Sequence, residues 1–181
     1  MKKLLSMVLA LMMALVAVSA VADTVETVNE DGSVTVATDA GISFTYSKED
    51  FEIAVGEDGS VNGKYVGETP EPVGFTIQIV TDTDAETYMN ATAEVYGSEV
   101  TKDITFDDET EWVSTECAVQ DGDYITIGVF YACDFEGGCY VVAVYSYFEN
   151  TAADEETSDE DVDFEGSTAL EMVLDSLTFA K

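Results

Sequence analysis

The sequence predicts an α+β fold, built mainly from antiparallel β-sheet and covered by helices, and three observations carry that prediction. Alternating apolar residues bounded by Asp-Gly pairs recur in the first half of the chain, as is typical of β-hairpins. Three longer segments between Trp112 and Phe148 have the pattern of an antiparallel meander. Helical periodicity is confined to one segment before Gly97 and one near the end of the chain, an order typical of α+β domains.

Residues 1–22 have the three parts of a secretory signal peptide. Two lysines precede an apolar run, and small residues follow it with possible cleavage positions after Ala20 or after Ala22. No later segment reaches the roughly 18 consecutive apolar residues that a membrane span needs. We therefore expect a secreted, extracellular bacterial protein whose mature chain, residues 23–181, forms a single domain and is not inserted in a membrane.

Two copies of the sequence Glu-Asp-Gly-Ser-Val, at 30–34 and 57–61, are predicted to be hairpin turns. A repeat of five residues is too short to be a functional unit, so we interpret the two copies as structural. The strands predicted around and between them are 24–28, 34–38, 41–46, 51–55 and 61–66.

The two predicted helices have start and stop signals. Capping residues at 81–84 precede a helix over 85–96, which Gly97 ends. The predicted buried stripe of this helix is Ala85, Tyr88, Met89, Thr92, Val95 and Tyr96. The closing helix runs from Ser167 to about Leu177, and we expect residues 178–179 to return to the sheet. Its predicted buried face is Ala169, Leu170, Val173, Leu174 and Leu177.

The meander is predicted to have strands at 112–119, 124–133 and 139–148. In the last two strands both faces are apolar, whereas a sheet with one solvated face would show clean alternation. We therefore expect both faces to be covered by helices, which describes an α/β/α sandwich.

Three segments resemble parts of PsbP-like domains: the strand at 41–46 with its following turn, the tyrosine-rich strand at 140–147, and the end of the closing helix at 173–179. The resemblance covers about residues 34–179. It implies an α/β/α sandwich and mostly non-enzymatic roles, such as extrinsic photosystem subunits, a Ran-binding import factor and bacterial envelope lipoproteins. This chain lacks a lipid-attachment cysteine and any histidine, and its acidic loop resembles an insertion, so no functional residue is transferred.

The charge balance excludes several functions. The chain has 38 acidic residues against six lysines, no arginine and no histidine, for a net charge of −32. Such a surface repels nucleic acids and anionic lipids. Its plausible partners are basic proteins, neutral carbohydrates or cations, although the stronger interpretation is that the carboxylates keep the protein soluble. Without histidine, Ser-His-Asp and Cys-His catalysis and imidazole-bound zinc are excluded. No glycine-rich phosphate loop precedes a helix.

Residues 150–165 form an acidic stretch that we expect to be an exposed, mobile loop. Three of its aspartates alternate as at the start of an EF-hand: Asp159, Asp161 and Asp163. The match then fails, because Phe164 stands where glycine should turn the loop and Leu170 where a bidentate glutamate should be. Weak calcium binding there is the alternative function, and a hydrolase using a carboxylate pair is the third.

The cysteines and tyrosines complete the candidate residues. Cys133 and Cys139 flank five residues, and symmetric pairing around that loop predicts a disulfide across adjacent strands. A redox-active pair is the other interpretation, although the C-x-x-C spacing is missing. Cys117 is expected to pack as a small hydrophobic residue. Three tyrosines could stack on a sugar or peptide, or else pack in the sheet: Tyr140, Tyr145 and Tyr147.

The function that these observations favour is a secreted, acidic, non-catalytic binding or accessory protein. No catalytic residue and no cofactor other than calcium is predicted. The sequence does not name the ligand.

Overall fold

The computed structural model describes residues 24–67, 73–104, 110–121, 124–149 and 167–179. The predicted signal peptide at 1–22 and the acidic stretch at 150–165 lie outside the described residues. The strands are β1 (Thr24–Val28), β2 (Val34–Thr38), β3 (Ile42–Tyr46), β4 (Phe51–Val55), β5 (Val61–Tyr65), β6 (Val73–Thr81), β7 (Val100–Ile104), β8 (Trp112–Asp121), β9 (Tyr124–Phe135), β10 (Gly138–Glu149) and β11 (Thr178–Phe179). The helices are α1 (Ala85–Tyr96) and α2 (Ser167–Asp175).

The strands form two antiparallel sheets, which confirms a mainly antiparallel β fold. The central sheet has seven strands in the order β4-β5-β6-β10-β9-β8-β7, and the second sheet has four in the order β1-β2-β3-β11. The meander β8–β10 contributes the three longest strands. Among the described residues, no helix combines the length and the apolar character needed to cross a membrane.

Both Asp-Gly turns are confirmed, and they are built in the same way. Asp31 Oδ1 accepts hydrogen bonds from the backbone N–H of Ser33 at 3.0 Å and from its hydroxyl at 2.7 Å. Asp58 Oδ1 does the same with Ser60, at 3.0 Å and 2.6 Å. The glycine after each aspartate has positive φ, which a residue with a side chain rarely adopts.

Helix α1 has the predicted bounds. Asp84 Oδ1 accepts from the backbone N–H of Thr87 at 2.7 Å, and Gly97 ends the helix at φ 71°. The predicted stripe is wrong at Val95, which is 43% exposed, because Ala93 is the residue that continues the buried row of Ala85 and Met89. Helix α2 ends at Asp175, earlier than the predicted end at about Leu177.

Each face of the central sheet carries its own core, as the two-faced apolar strands predict. Helix α1 covers one face and buries Met89, Phe130, Ala132, Cys139, Val141 and Ala143. The second sheet and α2 cover the other face and bury Ile42, Phe44, Phe75, Ile77, Val142 and Val173. Residues 178–179 return to a sheet as predicted, but they pair with β3 and thus complete the second sheet.

Four aromatic rings close one end of the meander. Phe179 stacks on Tyr140 with ring centroids 4.1 Å apart and lies 5.8 Å from Trp112, while Phe135 lies 4.7 Å from Tyr140. Trp112 and Tyr140 are buried. We call these four residues the aromatic cluster.

The predicted disulfide between Cys133 and Cys139 is wrong. Glu136 and Gly137 make a two-residue turn, with Gly137 at φ 105°, so Cys133 pairs with Tyr140 and Cys139 pairs with Asp134. A shift of one residue in register moves a side chain to the opposite face of the sheet. Cys133 therefore lies in the core of the second sheet and Cys139 in the core under α1, and neither is in a disulfide.

Candidate functional site

A concave region of about 720 Å³ lies over the half of the meander farther from the aromatic cluster, beginning at the middle of its strands. Its floor consists of residues 116–118 of β8, 127–129 of β9 and 144–146 of β10. Because neighbouring side chains along a strand point to opposite faces, the region has one half on the α2 side and one on the α1 side of the sheet. We call the half on the α2 side the groove.

The groove is predominantly apolar. The register places Ala118, Ile127 and Ser146 side by side in one row and Glu116, Val129 and Val144 in the next. Ile127, Val129 and Val144 remain partly exposed, because α2 covers this end of the sheet incompletely. The apolar residues that line the groove are Val73, Ala118, Ile127, Val129, Val144, Leu170 and Leu174.

One buried polar group interrupts this apolar surface. Ser146 lines the groove and is 6% exposed, and its Oγ lies just beneath the surface. Within the described part of the chain, this oxygen has no hydrogen-bond partner. A buried hydroxyl left in that state costs about 1–3 kcal/mol, and it can both donate and accept.

The charged residues that line the groove are both acidic. Glu116 on β8 and Glu171 on α2 are exposed. Glu116 also acts on its neighbours: the pKa of Tyr131 is raised, first by burial and second by the negative charge of Glu116. Within the ranges that the structure describes, no lysine lines the groove.

Two of the lysines in the described residues are already paired elsewhere. Lys48 forms an ion pair with Glu26 at 2.8 Å, and Lys102 forms one with Glu86. Both pairs are half exposed, and exposed pairs of this kind contribute little stability. Among the described residues, the lining of the groove therefore contains two carboxylates and no ammonium group.

The half on the α1 side is lined by the end of that helix and by Cys117, Gly128 and Tyr145. Tyr96 stacks on Phe130 at 5.7 Å, which fills the space next to it. Burial raises the pKa of the Cys117 thiol, so it stays protonated at neutral pH and is a poor nucleophile. Cys117 packs against the core under α1, as predicted for a small hydrophobic residue.

The three tyrosines considered for stacking have different positions. Tyr140 belongs to the aromatic cluster and is buried, so it is a core residue. Tyr145 is half-buried beside Gly74, where an added Cβ would lie 2.7 Å from the tyrosine ring. The Tyr147 side chain lies outside the described part of the structure.

The predicted calcium ligands Asp159, Asp161 and Asp163 also lie outside the described residues, so calcium binding stays a prediction. Among the residues that the structure describes, no group of three or more histidine, cysteine, aspartate or glutamate side chains could hold a metal ion.

Ser146 and Glu116 are not among the site residues predicted from the sequence. A signal for Ser146 was present, because alternate residues Tyr140, Val142 and Val144 point to the same face and Ser146 continues that series with a polar side chain. Glu116 had no comparable signal among 38 acidic residues.

The chain matches no protein-family model and no curated protein. It is similar to a crystal structure of a protein from Bacteroides thetaiotaomicron, at 9% sequence identity and a TM-score of 0.45. The alignment covers 86% of this chain and 48% of that one, so this chain spans about half the length of the protein it resembles. At that TM-score the likeness establishes neither a shared fold nor a shared function.

Proposed function

We propose that this protein is an exported, non-catalytic binding protein that holds a small, largely apolar molecule in the groove. The observation that carries the proposal is an apolar surface, left partly exposed between α2 and the meander, with a buried serine hydroxyl that has no hydrogen-bond partner among the described residues. Ligand sites in proteins typically combine apolar walls with a small number of placed polar groups.

The energetics of the groove favour occupancy. Covering apolar surface contributes roughly 25 cal/mol per Å², and Ile127, Val129 and Val144 each have surface left to cover. The Ser146 hydroxyl would orient the ligand. It has no hydrogen-bond partner in the described residues, and a polar atom of the ligand could supply that hydrogen bond.

Export and the absence of catalysis are parts of the same proposal. Export is supported by the charged, apolar and small-residue segments within residues 1–22. The non-catalytic role is supported by the lack of histidine and by the raised pKa of the half-buried Cys117 thiol. We also propose the finer fold description, a PsbP-like α/β/α sandwich, supported by one helix on each face of the central sheet.

Binding of the uncharged fluorescent probe N-phenyl-1-naphthylamine tests the proposal. We expect saturable binding with one probe per protein. In Ala118→Trp the indole would fill the groove from an exposed position on β8, and we expect binding to fall at least about tenfold. Ala54→Trp is the matched control, because it introduces the same side chain at an exposed alanine on β4, outside the groove.

Equal binding by the two tryptophan variants would place the probe elsewhere and would refute the groove as the site. Absence of saturable binding to the unmodified protein would refute the proposed function. Circular dichroism of both variants checks that the comparison is between folded proteins.

A further inference from the structure

We infer that the ligand of the groove is an amphiphilic cation, an apolar body carrying an amine or quaternary ammonium group, and this inference rests on the function proposed above. It deepens that proposal by naming the chemistry of the ligand. It rests on the combination of apolar walls with two exposed carboxylates and, in the described part of the lining, no lysine.

The two carboxylates belong to different elements that meet at the groove. Glu116 projects from the same face of β8 as Ala118, since residues two apart in a strand share a face. Glu171 follows Leu170 in α2, and Leu170 and Leu174 are apolar walls of the groove. A ligand whose apolar part contacts Val129 and Val144 would thus have its head group near these two acids.

Charge complementarity selects the sign of that head group. An anionic head group would meet two carboxylates and no ammonium group among the lining residues, and like charges in proximity are destabilising. A neutral sugar head group would gain hydrogen bonds but no Coulomb attraction. A cation would gain both the hydrophobic contact and the attraction of the two carboxylates.

The overall negative charge of the protein attracts any cation, so the experiment must separate the groove from the rest of the surface. The probes share an octyl chain and differ in the head group: octyltrimethylammonium, octyl glucoside and octanoate, each below its micelle concentration at 150 mM salt. Calorimetry gives the dissociation constants. Exposed ion pairs of about 0.2–1 kcal/mol each predict that the cation binds roughly two- to thirtyfold more tightly than the glucoside.

Two double variants locate the attraction. We expect Glu116→Gln with Glu171→Gln to abolish the preference for the cation over octyl glucoside. The matched control is Glu52→Gln with Glu94→Gln, which removes the same charge at exposed positions on β4 and α1 outside the groove. The control variant should keep the preference.

The outcomes distinguish the two proposals. If octyl glucoside and the cation bind equally well, or if the glucoside binds more tightly, the inference is overturned and the binding function stands. If both double variants lose the preference to the same extent, the attraction belongs to the whole surface and the inference is again overturned. If none of the three probes binds, the proposed function fails and the inference fails with it.

Discussion

The meander β8–β10 has two halves that differ, although they are built from the same three strands: a closed end at the aromatic cluster and an open end under the groove. At one end the aromatic cluster packs four rings together, and Trp112 and Tyr140 are 7% and 6% exposed. At the other end the strands present aliphatic side chains that stay partly exposed, with a buried hydroxyl that has no partner in the described residues. The closed end contributes stability, and the open end keeps apolar surface for which binding is the most direct explanation.

The largest expected difference between the two ends is in core stability. Tyr140→Ala would remove a buried ring that contacts Phe179 and Phe135, and losses of this kind cost about 3–5 kcal/mol. Val129→Ala would remove a half-exposed side chain at the open end and should cost clearly less. Urea unfolding of both variants measures the difference. Equal losses would mean that the open end is packed as tightly as the closed one.

A second test concerns Gly128, which lines the α1 side of the concave region where β9 and β10 approach each other closely. A Cβ added at Gly128 would lie 2.4 Å from the backbone oxygen of Val144, so β9 and β10 would have to separate locally. We expect Gly128→Ala to lower the free energy of unfolding by about 1–3 kcal/mol, which is typical of overpacking. Gly97→Ala is a control of another kind, since its Cβ would meet no atom and its cost comes from positive φ.

Probe binding also distinguishes the two glycine variants. Gly128→Ala should also weaken probe binding, because it displaces the strands under the groove, whereas Gly97→Ala should not. A Gly128→Ala protein with unchanged stability and unchanged binding would contradict the close approach of these two strands.

Most elements could be predicted from the sequence because their signals are local. The Asp-Gly turns, the cap at Asp84 and the αL residue Gly97 each act within a few residues, and the bounds of β1, β2, β4 and α1 follow from them. The pairing partner of β11 could not be predicted, because Thr178 contacts Ser43 across 135 positions of the chain. The predicted register at Cys133 is wrong because the turn between β9 and β10 is shorter than the symmetric loop on which the prediction relied.

The candidate site was harder to predict than the fold for a physical reason. A groove forms where the apolar residues of the sheet are not fully covered by other elements. Which residues stay uncovered depends on where α2 lies on the sheet. The sequence pattern correctly places Leu170 and Leu174 on the apolar face of the helix. The same pattern does not indicate that these side chains leave Ile127 and Val129 partly exposed. Ser146 is the one position where the sequence carried a usable signal, a polar residue at the end of an apolar face.

The stability of the protein at alkaline pH should depend on the thiol of Cys139, in the core under α1. Burial, followed by the charges of Asp134 and Asp84, raises the pKa of Cys139 to about 11 from 9.0. Because the folded state holds this proton more tightly than the unfolded state, stability is fully present below pH 9 and falls as pH rises from 9 to 11. Tyr88 adds to the decline at higher pH, since burial and Cys139 raise its pKa too.

Urea midpoints measured from pH 8 to pH 11 test this dependence. We expect a smaller decline in Cys139→Ala, which has no thiol to ionise. Identical slopes for the two proteins would show that the thiol at this position does not titrate as a buried group. The Cys117→Ala variant, whose thiol is only partly buried, should lie between them.

The smallest expected effect compares two buried hydroxyls in the same sheet. Thr115 Oγ1 is hydrogen-bonded to the Ser98 hydroxyl at 2.8 Å and donates to the carbonyl of Glu99 at 3.0 Å, so Thr115→Val should cost about 1 kcal/mol. Ser146→Ala removes a hydroxyl with no partner in the described residues, and it should leave the stability of the ligand-free protein unchanged or slightly higher. Thermal unfolding measures both. A loss at Ser146 as large as that at Thr115 would show that its hydroxyl is already satisfied within the protein, and the groove would then lack the polar group that gives a ligand its direction.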